Sequence, residues 1–279
     1  MPLTERYPTD QTDAQWEIIK PFVQKKVGPG RPTTVDLRRV VDAIFYILRS
    51  SCQYRMLPHD FPPWETVYYY LAKWRDDGTL TRIHDALREQ VRDKERPTAR
   101  TTASVDSQTT DSAGAQQDRA FDGGKKLEGR KRHIVVDSLG LLLAVVLTAG
   151  NVTDAQGGMA CLRQMGPEQY PELNTFFGDK AYAKEGFPDK VKEWKPGCQL
   201  NVIARPPNSE GFVKLPIRWV VERSNAWFTK NRRLCRSYEH TTASETAYVK
   251  LAMISLMVRR LSPSPTQSPF RYKRKKLLT

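Results

Sequence analysis

Cysteine is scarce in this 279-residue chain. Cys52, Cys161, Cys198 and Cys235 stand far apart without a CxxC pair, and there are only four histidines. That spacing speaks against both a disulfide scaffold and a zinc finger. Long apolar runs are missing as well. The longest, Leu139 to Gly150, falls far short of the roughly 20 residues that cross a bilayer. The start, MPLTERYPTDQTD, lacks a basic stretch followed by an apolar one, so no secretory signal is expected. Acid is the minority charge, with Asp+Glu 31 against Lys+Arg 45 and a formal net charge of +14. Hydrophobic residues, at 39%, are enough for a buried core, so wholesale disorder is excluded. The expectation is a soluble, intracellular, basic protein of two domains.

The positive charge is unevenly spread. Residues 1–100 hold 17 basic and 14 acidic side chains, leaving 28 and 17 for the rest of the chain. Three clusters carry the excess: Arg119–His133, Lys214–Arg236, and Arg271–Lys276, where five of six residues are basic. Any one cluster reads as a solvated face. Three in one chain, two of them beside acidic motifs, point to a polyanionic partner.

Periodicity divides the chain. Residues 1–95 read as helical: Thr12 or Asp13 caps a helix with Trp16, Ile19, Phe22 and Val23 on one face, and Thr34 or Asp36 opens a longer one. After the Pro-rich CQYRMLPHDFPPW come helices at Glu65–Arg75 and Leu80–Lys94. Short helices with sharp turns resemble a helix-turn-helix module whose later helix enters a major groove; an all-helical packing domain fits as well. Tyr68, Tyr69, Lys73 and Arg75 form a face suited to phosphates. Beyond ERPTARTTA the pattern becomes β-like at Thr102–Ser107, with a polar, turn-rich Asp111–Gly124. A hairpin of Arg132–Asp137 and Leu141–Ala149 follows, then a helix capped by Asp154 and running to Met165. A strand at Leu173–Gly178, a helix at Phe187–Lys195, a strand at Gln199–Ala204 and a long final helix from about Pro216 complete the order β, β, β, α, β, α, β, α. That order builds a mixed sheet flanked by helices.

Three carboxylates stand out. Asp106 ends the first strand in SVDSQ, Asp179 follows the fourth in FGDKAY, and Glu222 lies in the final helix in RWVVER. Carboxylates just past the ends of strands point into the crevice where open α/β sheets bind ligands. If the first and fourth strands are neighbours, Asp106 and Asp179 face each other and a divalent cation relieves their repulsion. A third carboxylate from a covering helix completes a site for two ions about 3.5–4 Å apart. Asp137 and Asp154 are available as auxiliary acids, but a hairpin position and a helix cap explain them more simply. Arg218, Arg223, Lys230, Arg232 and Arg233 recur along the final helix, with Trp227 either stacking on an unpaired base or packing in the core. Lys125, Lys126, Arg130, Lys131, Arg132 and His133 precede the second strand and are candidates for backbone phosphates near the metals.

TDAQWEIIKPFV and the GRPTTVDLRR…AKW stretch, followed by VDSQ, FDGGKKLEGRKRHIVVDSLGLLLAVVLTAGNVTD, GDKAY and RWVVERSNAW, carry a resemblance over about residues 10–261. The chain resembles the DDE transposases of bacterial insertion sequences, narrowly those of the IS-five group, with their RNase H-like catalytic domain. The resemblance implies that Asp106, Asp179 and Glu222 are a catalytic, metal-binding triad for two Mg²⁺ ions, with Mn²⁺ as a substitute. It implies a helical DNA-binding module over residues 1–95, a catalytic domain over 96–261 and a basic tail over 262–279. Transposon ends and target DNA are the implied partners, with a homodimer on DNA, no membrane, and a cytoplasmic, nucleoid-associated location. Arg218, with three residues between it and Glu222, matches the Arg of the family's Tyr-Arg-Glu-Lys pattern. Leu215 occupies the Tyr position, and Lys230 lies one residue beyond the Lys position. Tyr182 matches the aromatic residue three past the second Asp. A nuclease that only hydrolyses and a domesticated DNA-binding protein are the competing readings.

Overall fold

The computed structural model describes residues 7–24, 34–95, 101–114, 116–203 and 218–264. Four helices come first. Helix α1, Asp13–Val23, begins in a capping box: the Thr12 side chain accepts from the Gln15 N–H, and the Gln15 side chain accepts from the Thr12 N–H. Asp36 caps α2, Leu37–Ser50, by accepting from the N–H groups of Arg38 and Arg39. The Pro-rich stretch that follows holds one 3₁₀ turn, Tyr54–Met56. Helices α3, Trp64–Asp76, and α4, Thr79–Glu95, are joined through Asp77 and Gly78, whose φ of 75° needs glycine.

The rest is a sheet with helices on both faces. Its strands are β1 (Thr102–Asp111), β2 (Ala120–Asp122), β3 (Leu127–Asp137), β4 (Leu142–Ala149), β5 (Thr175–Gly178) and β6 (Gln199–Val202). Helix α5, Asp154–Gln164, links β4 to β5, and α6, Phe187–Trp194, links β5 to β6; α7, Arg218–Thr229, and α8, Thr242–Leu261, close the described chain. Strand order is β2-β3-β1-β5-β6, with β4 paired to β3. The β1–β3 and β3–β4 pairs are antiparallel, as hairpin-like connections require, and β1–β5 and β5–β6 are parallel through the crossover helices. Alternate residues of β3 serve opposite layers: Val135 joins Ala103, Val105 and Phe176 under α5 and α6, while Ile134 and Val136 join the layer formed by α7, α8 and the four N-terminal helices.

Several expectations change. Strand β3 starts five residues earlier than expected, because its charged residues lie inside the protein, and β2 falls within the stretch read as turns. Thr153, not Asp154, caps α5. The final helical stretch ends at Thr229, so Lys230, Arg232 and Arg233 do not continue along it, and α8 is a separate helix. Helix α4 buries Leu80, Ile83, Leu87 and Val91, with His84, Arg88 and Arg92 also inside. It is a core helix rather than an exposed reader of a groove; the exposed face of this half belongs to α3, with Tyr68 and Tyr69 at 51% and 59% exposure. The proposed boundary at 95/96 and most of the 262–279 tail lie outside the described residues.

Candidate active site

Asp106 and Asp179 are brought level by strand register. The parallel ladder pairs Ala103 with Phe176 and Ser104 with Phe177. Two residues further along stand Asp106, on β1, and Asp179, one residue past the end of β5, whose strands are spaced about 4.8 Å apart. The Asp179 carboxylate accepts from the Ala181 N–H at 2.9 Å, starting the 3₁₀ turn Lys180–Ala183. The Asp106 carboxylate accepts from Asn225 Nδ2 at 3.0 Å, which fixes α7 against β1. Glu222 lies three residues before Asn225, one turn along the same side of α7, and is exposed. Among the described residues no three His, Cys, Asp or Glu side chains stand close enough to form one metal ligand set. Strand register sets the two aspartates side by side, and Glu222 shares the side of α7 that bonds Asp106 through Asn225.

Electrostatics mark the same place. The Tyr182 hydroxyl is buried and has no hydrogen-bond partner among the described residues. Burial raises it well above the ordinary tyrosine value, and the charges of Asp106, Asp154 and Asp179 push it further. Asp154 accepts from the Ser107 hydroxyl at 2.7 Å, so it approaches the site from the α5 side of the sheet. Asp137 serves the β3–β4 turn, accepting from the N–H groups of Leu139 and Leu141. The donor chemistry at Asp106 and Asp179 fits Mg²⁺, which takes hard oxygen ligands and is commonly held by one or two carboxylates beside substrate phosphates.

The basic cluster before the second hairpin strand is largely withdrawn from solvent, which corrects the expectation of phosphate contacts there. Arg130 and Arg132, both fully buried, share Glu245 of α8 at 3.2 and 3.3 Å. Arg130 also donates to the carbonyls of Gln117, Glu239 and His240. Lys131 lies between Asp122 at 3.3 Å and Asp154 at 3.4 Å. The His133 ring is fully buried with Nε2 2.9 Å from Thr148 Oγ1, and burial lowers it to about 4, against the pull of Asp154. Strand β3 is covered on both faces, so alternation gives these side chains no outward side. Lys125 and Lys126 remain exposed in the β2–β3 turn.

Around α7 the outcome is mixed. Arg218 opens the helix, its side chain lying outside the described residues. Arg223 donates to the Leu139 carbonyl at 2.9 Å and lies over the rings of Trp219 and Trp227. Trp227 is half-buried against the core, as the packing alternative expected. Lys230 and Arg232 are exposed, whereas Arg233 is engaged by Glu239 at 2.6 Å and faces Tyr54, Tyr238 and Tyr248. Of the α3 group, Tyr68, Tyr69 and Lys73 are exposed, and Arg75 is tied to Asp76 and to Ser244 Oγ. Asn225 and Glu245 were not singled out from the sequence. Asn225 was accessible as the residue one helical turn after Glu222; Glu245 carried no local signal.

Residues 97–257 match a family described as a transposase DDE domain, and residues 12–84 match one described as a putative transposase of the IS4/5 family. A Burkholderia cepacia protein named as a putative transposase for insertion sequence element IS402 is 30% identical over 129 residues, 44% of this chain. The chain matches 60% of that relative's length.

Proposed function

The chain belongs to the DDE transposase family, and on that premise we propose that it binds the terminal inverted repeats of its insertion sequence, cleaves the DNA ends and joins the liberated 3′-OH to target DNA. The family membership carries an RNase H-like domain, which is the mixed sheet of β1 to β6 with its flanking helices. The observation that carries the mechanism is the register that sets Asp106 of β1 level with Asp179, just past the end of the parallel strand β5, with α7 bonded to Asp106 through Asn225.

In this reading Asp106, Asp179 and Glu222 are the acidic triad. Asp106 is oriented by the Asn225 amide and Asp179 by the Ala181 N–H, so neither carboxylate turns freely when substrate arrives. Glu222 approaches from α7 as that helix settles on bound DNA. The three acids, together with phosphate oxygens of the substrate, would hold Mg²⁺ or Mn²⁺, which would supply activation of a water or a 3′-OH and stabilisation of the leaving oxygen. Lys125, Lys126, Arg218, Lys230 and Arg232 contribute positive charge along the DNA path, with Tyr68 and Lys73 on the α3 face. Residues 1–95 serve end recognition, 96–261 the chemistry and 262–279 a basic tail; the family matches, meeting between residues 84 and 97, support that division. Two protomers hold two ends, so the active form is a homodimer on double-stranded DNA at the nucleoid. Among the described residues no helix is long and apolar enough to cross a membrane.

The test incubates purified protein with its element's ends, a target plasmid and Mg²⁺. Cut and joined products are expected, and Asp106→Ala should lower both by on the order of a thousandfold while leaving duplex binding intact. Nicked product without joined product would favour a purely hydrolytic nuclease. Undiminished cutting by Asp106→Ala would remove the assigned site.

A further inference from the structure

On α7, Trp219, Arg223 and Trp227 follow one another at four-residue spacing and form a stripe. Asn225, two residues past Arg223, points to the other side of the helix, toward Asp106. The stripe faces a cavity of about 400 Å³ lined by Glu95, Ser138, Leu139, Trp219, Arg223 and Arg260. The Arg223 guanidinium lies 4.4 Å from the Trp219 ring centre and 4.7 Å from that of Trp227, and the Arg260 guanidinium is also 4.7 Å from Trp227. Two cations therefore share one indole. Arg223 Nη2 bonds the Leu139 carbonyl, yet its Nε is buried without a hydrogen-bond partner.

The charges do not balance. Among the described lining residues Glu95 is the one acid, and its carboxylate stands 3.6 Å from Arg260 Nη1, too long for a hydrogen bond. Asp137, nearby, is engaged by Arg92 at 3.5 Å and by two backbone N–H groups. Burial first and the Arg260 charge second hold the Arg223 guanidinium below its usual value. A planar donor fork that is desolvated, stacked and short of acceptors suits a phosphate group.

We propose that this cavity is a subsite for one DNA backbone phosphate, gripped by Arg223 and Arg260, with Glu95 as the placeholder that the phosphate displaces. The proposal rests on the transposase reading, since it takes DNA as the source of the phosphate. Between the cavity and Asp106 lies the exposed face of α7 with Glu222 and Ala226. A strand crossing a helix about 10–12 Å in diameter can engage both sides. The indoles hold the guanidiniums in place before DNA arrives, which lowers the ordering cost of binding.

The test is binding of a fluorescein-labelled DNA duplex without metal, measured by anisotropy between 50 and 200 mM salt, the range over which counterion release is readily resolved. Glu95→Gln keeps the shape and removes the competing charge, so affinity should rise by about threefold or more. Arg260→Gln should weaken binding about tenfold and reduce the salt slope by about one, the signature of one lost phosphate contact. Arg260→Lys should keep the slope, and circular dichroism checks that each variant folds. An ordinary structural ion pair would give Glu95→Gln no gain in affinity, and that result, or an unchanged slope in Arg260→Gln, overturns the proposal. Free pyrophosphate provides a second arm: if it raises the melting temperature of the parent but not of Arg260→Gln, while duplex affinity and slope stay unchanged, the occupant is a small anion and the DNA assignment is overturned. Cutting and joining of ends with no shift in these variants would sink the subsite alone; the expected shifts in a protein that neither cuts nor joins would sink the function alone.

Discussion

Glu245 holds two fully buried guanidiniums, those of Arg130 and Arg132, and accepts from Ser237 Oγ as well. Removing the acid strands two buried cations, so Glu245→Ala should cost about 3–5 kcal/mol in a denaturant titration. His133 makes a second residue-scale test. Its folded value of about 4 lies below the ordinary 6.5, so between those values the unfolded chain takes up a proton that the folded chain refuses. Its contribution is present above pH about 6.5 and is lost as pH falls toward 4, by roughly 3 kcal/mol. Buried Asp42, raised to about 7, titrates in the same window with the opposite sign. The informative quantity is therefore the difference between parent and His133→Gln, whose stability should fall less on acidification. These side chains also mark where residue types mislead. In the sequence, RKRH reads as a phosphate-binding surface, because charge normally faces water. Only the pairing of β3 with both β1 and β4, and the arrival of Glu245 from 113 positions beyond Arg132, turn it into core.

At the scale of elements, the β3–β4 turn carries the helix that bears Glu222. Gly140 has φ of 79°, and a Cβ there would lie 2.7 Å from Ser224 Oγ and 3.0 Å from the Trp227 ring. The Ser224 hydroxyl in turn donates to the Gly140 carbonyl at 2.8 Å. Gly140→Ala should thus lower stability by about 1–3 kcal/mol, through strain at positive φ and through displacement of α7. Calorimetry measures the first effect, and a fall in end cleavage at a temperature where the variant is folded measures the second. Cleavage at the parental rate would uncouple the turn from the site. Helices α1 to α4 were legible within a residue or two, since caps at Thr12 and Asp36 and four-residue apolar spacing are local signals. Helix α8 was not read, because it is apolar on most sides: α4, β4 and the N-terminal helices surround it, so no polar face reveals its period.

Across the whole molecule, the apolar layer on the α7 side of the sheet continues without a break into the N-terminal helices, with Leu87 and Val91 of α4 in the same cluster as Val136, Leu142 and Met257. The N-terminal helices and the sheet therefore share one core. A fragment lacking residues 1–95 would expose that layer, and it should be insoluble or lack a cooperative thermal transition; the intact chain should melt in one step. A soluble fragment with its own sharp transition would establish independent domains. Helices give way to strands between Glu95 and Thr102, where the periodicity changes, but periodicity carries no information on what packs against what.

The four N-terminal helices, the caps at Thr12 and Asp36, the mixed sheet and the family resemblance were legible in the sequence alone, because each rests on local patterns of residue types, whereas β2 and α8 were not. The tertiary structure decided which charges meet solvent, that Asn225 bonds Asp106 across 119 positions, and that Arg223 and Arg260 converge on one cavity from α7 and α8. The reason is physical: a side chain's burial and partners depend on segments that approach it in space, and nothing in its own stretch of chain encodes their arrival.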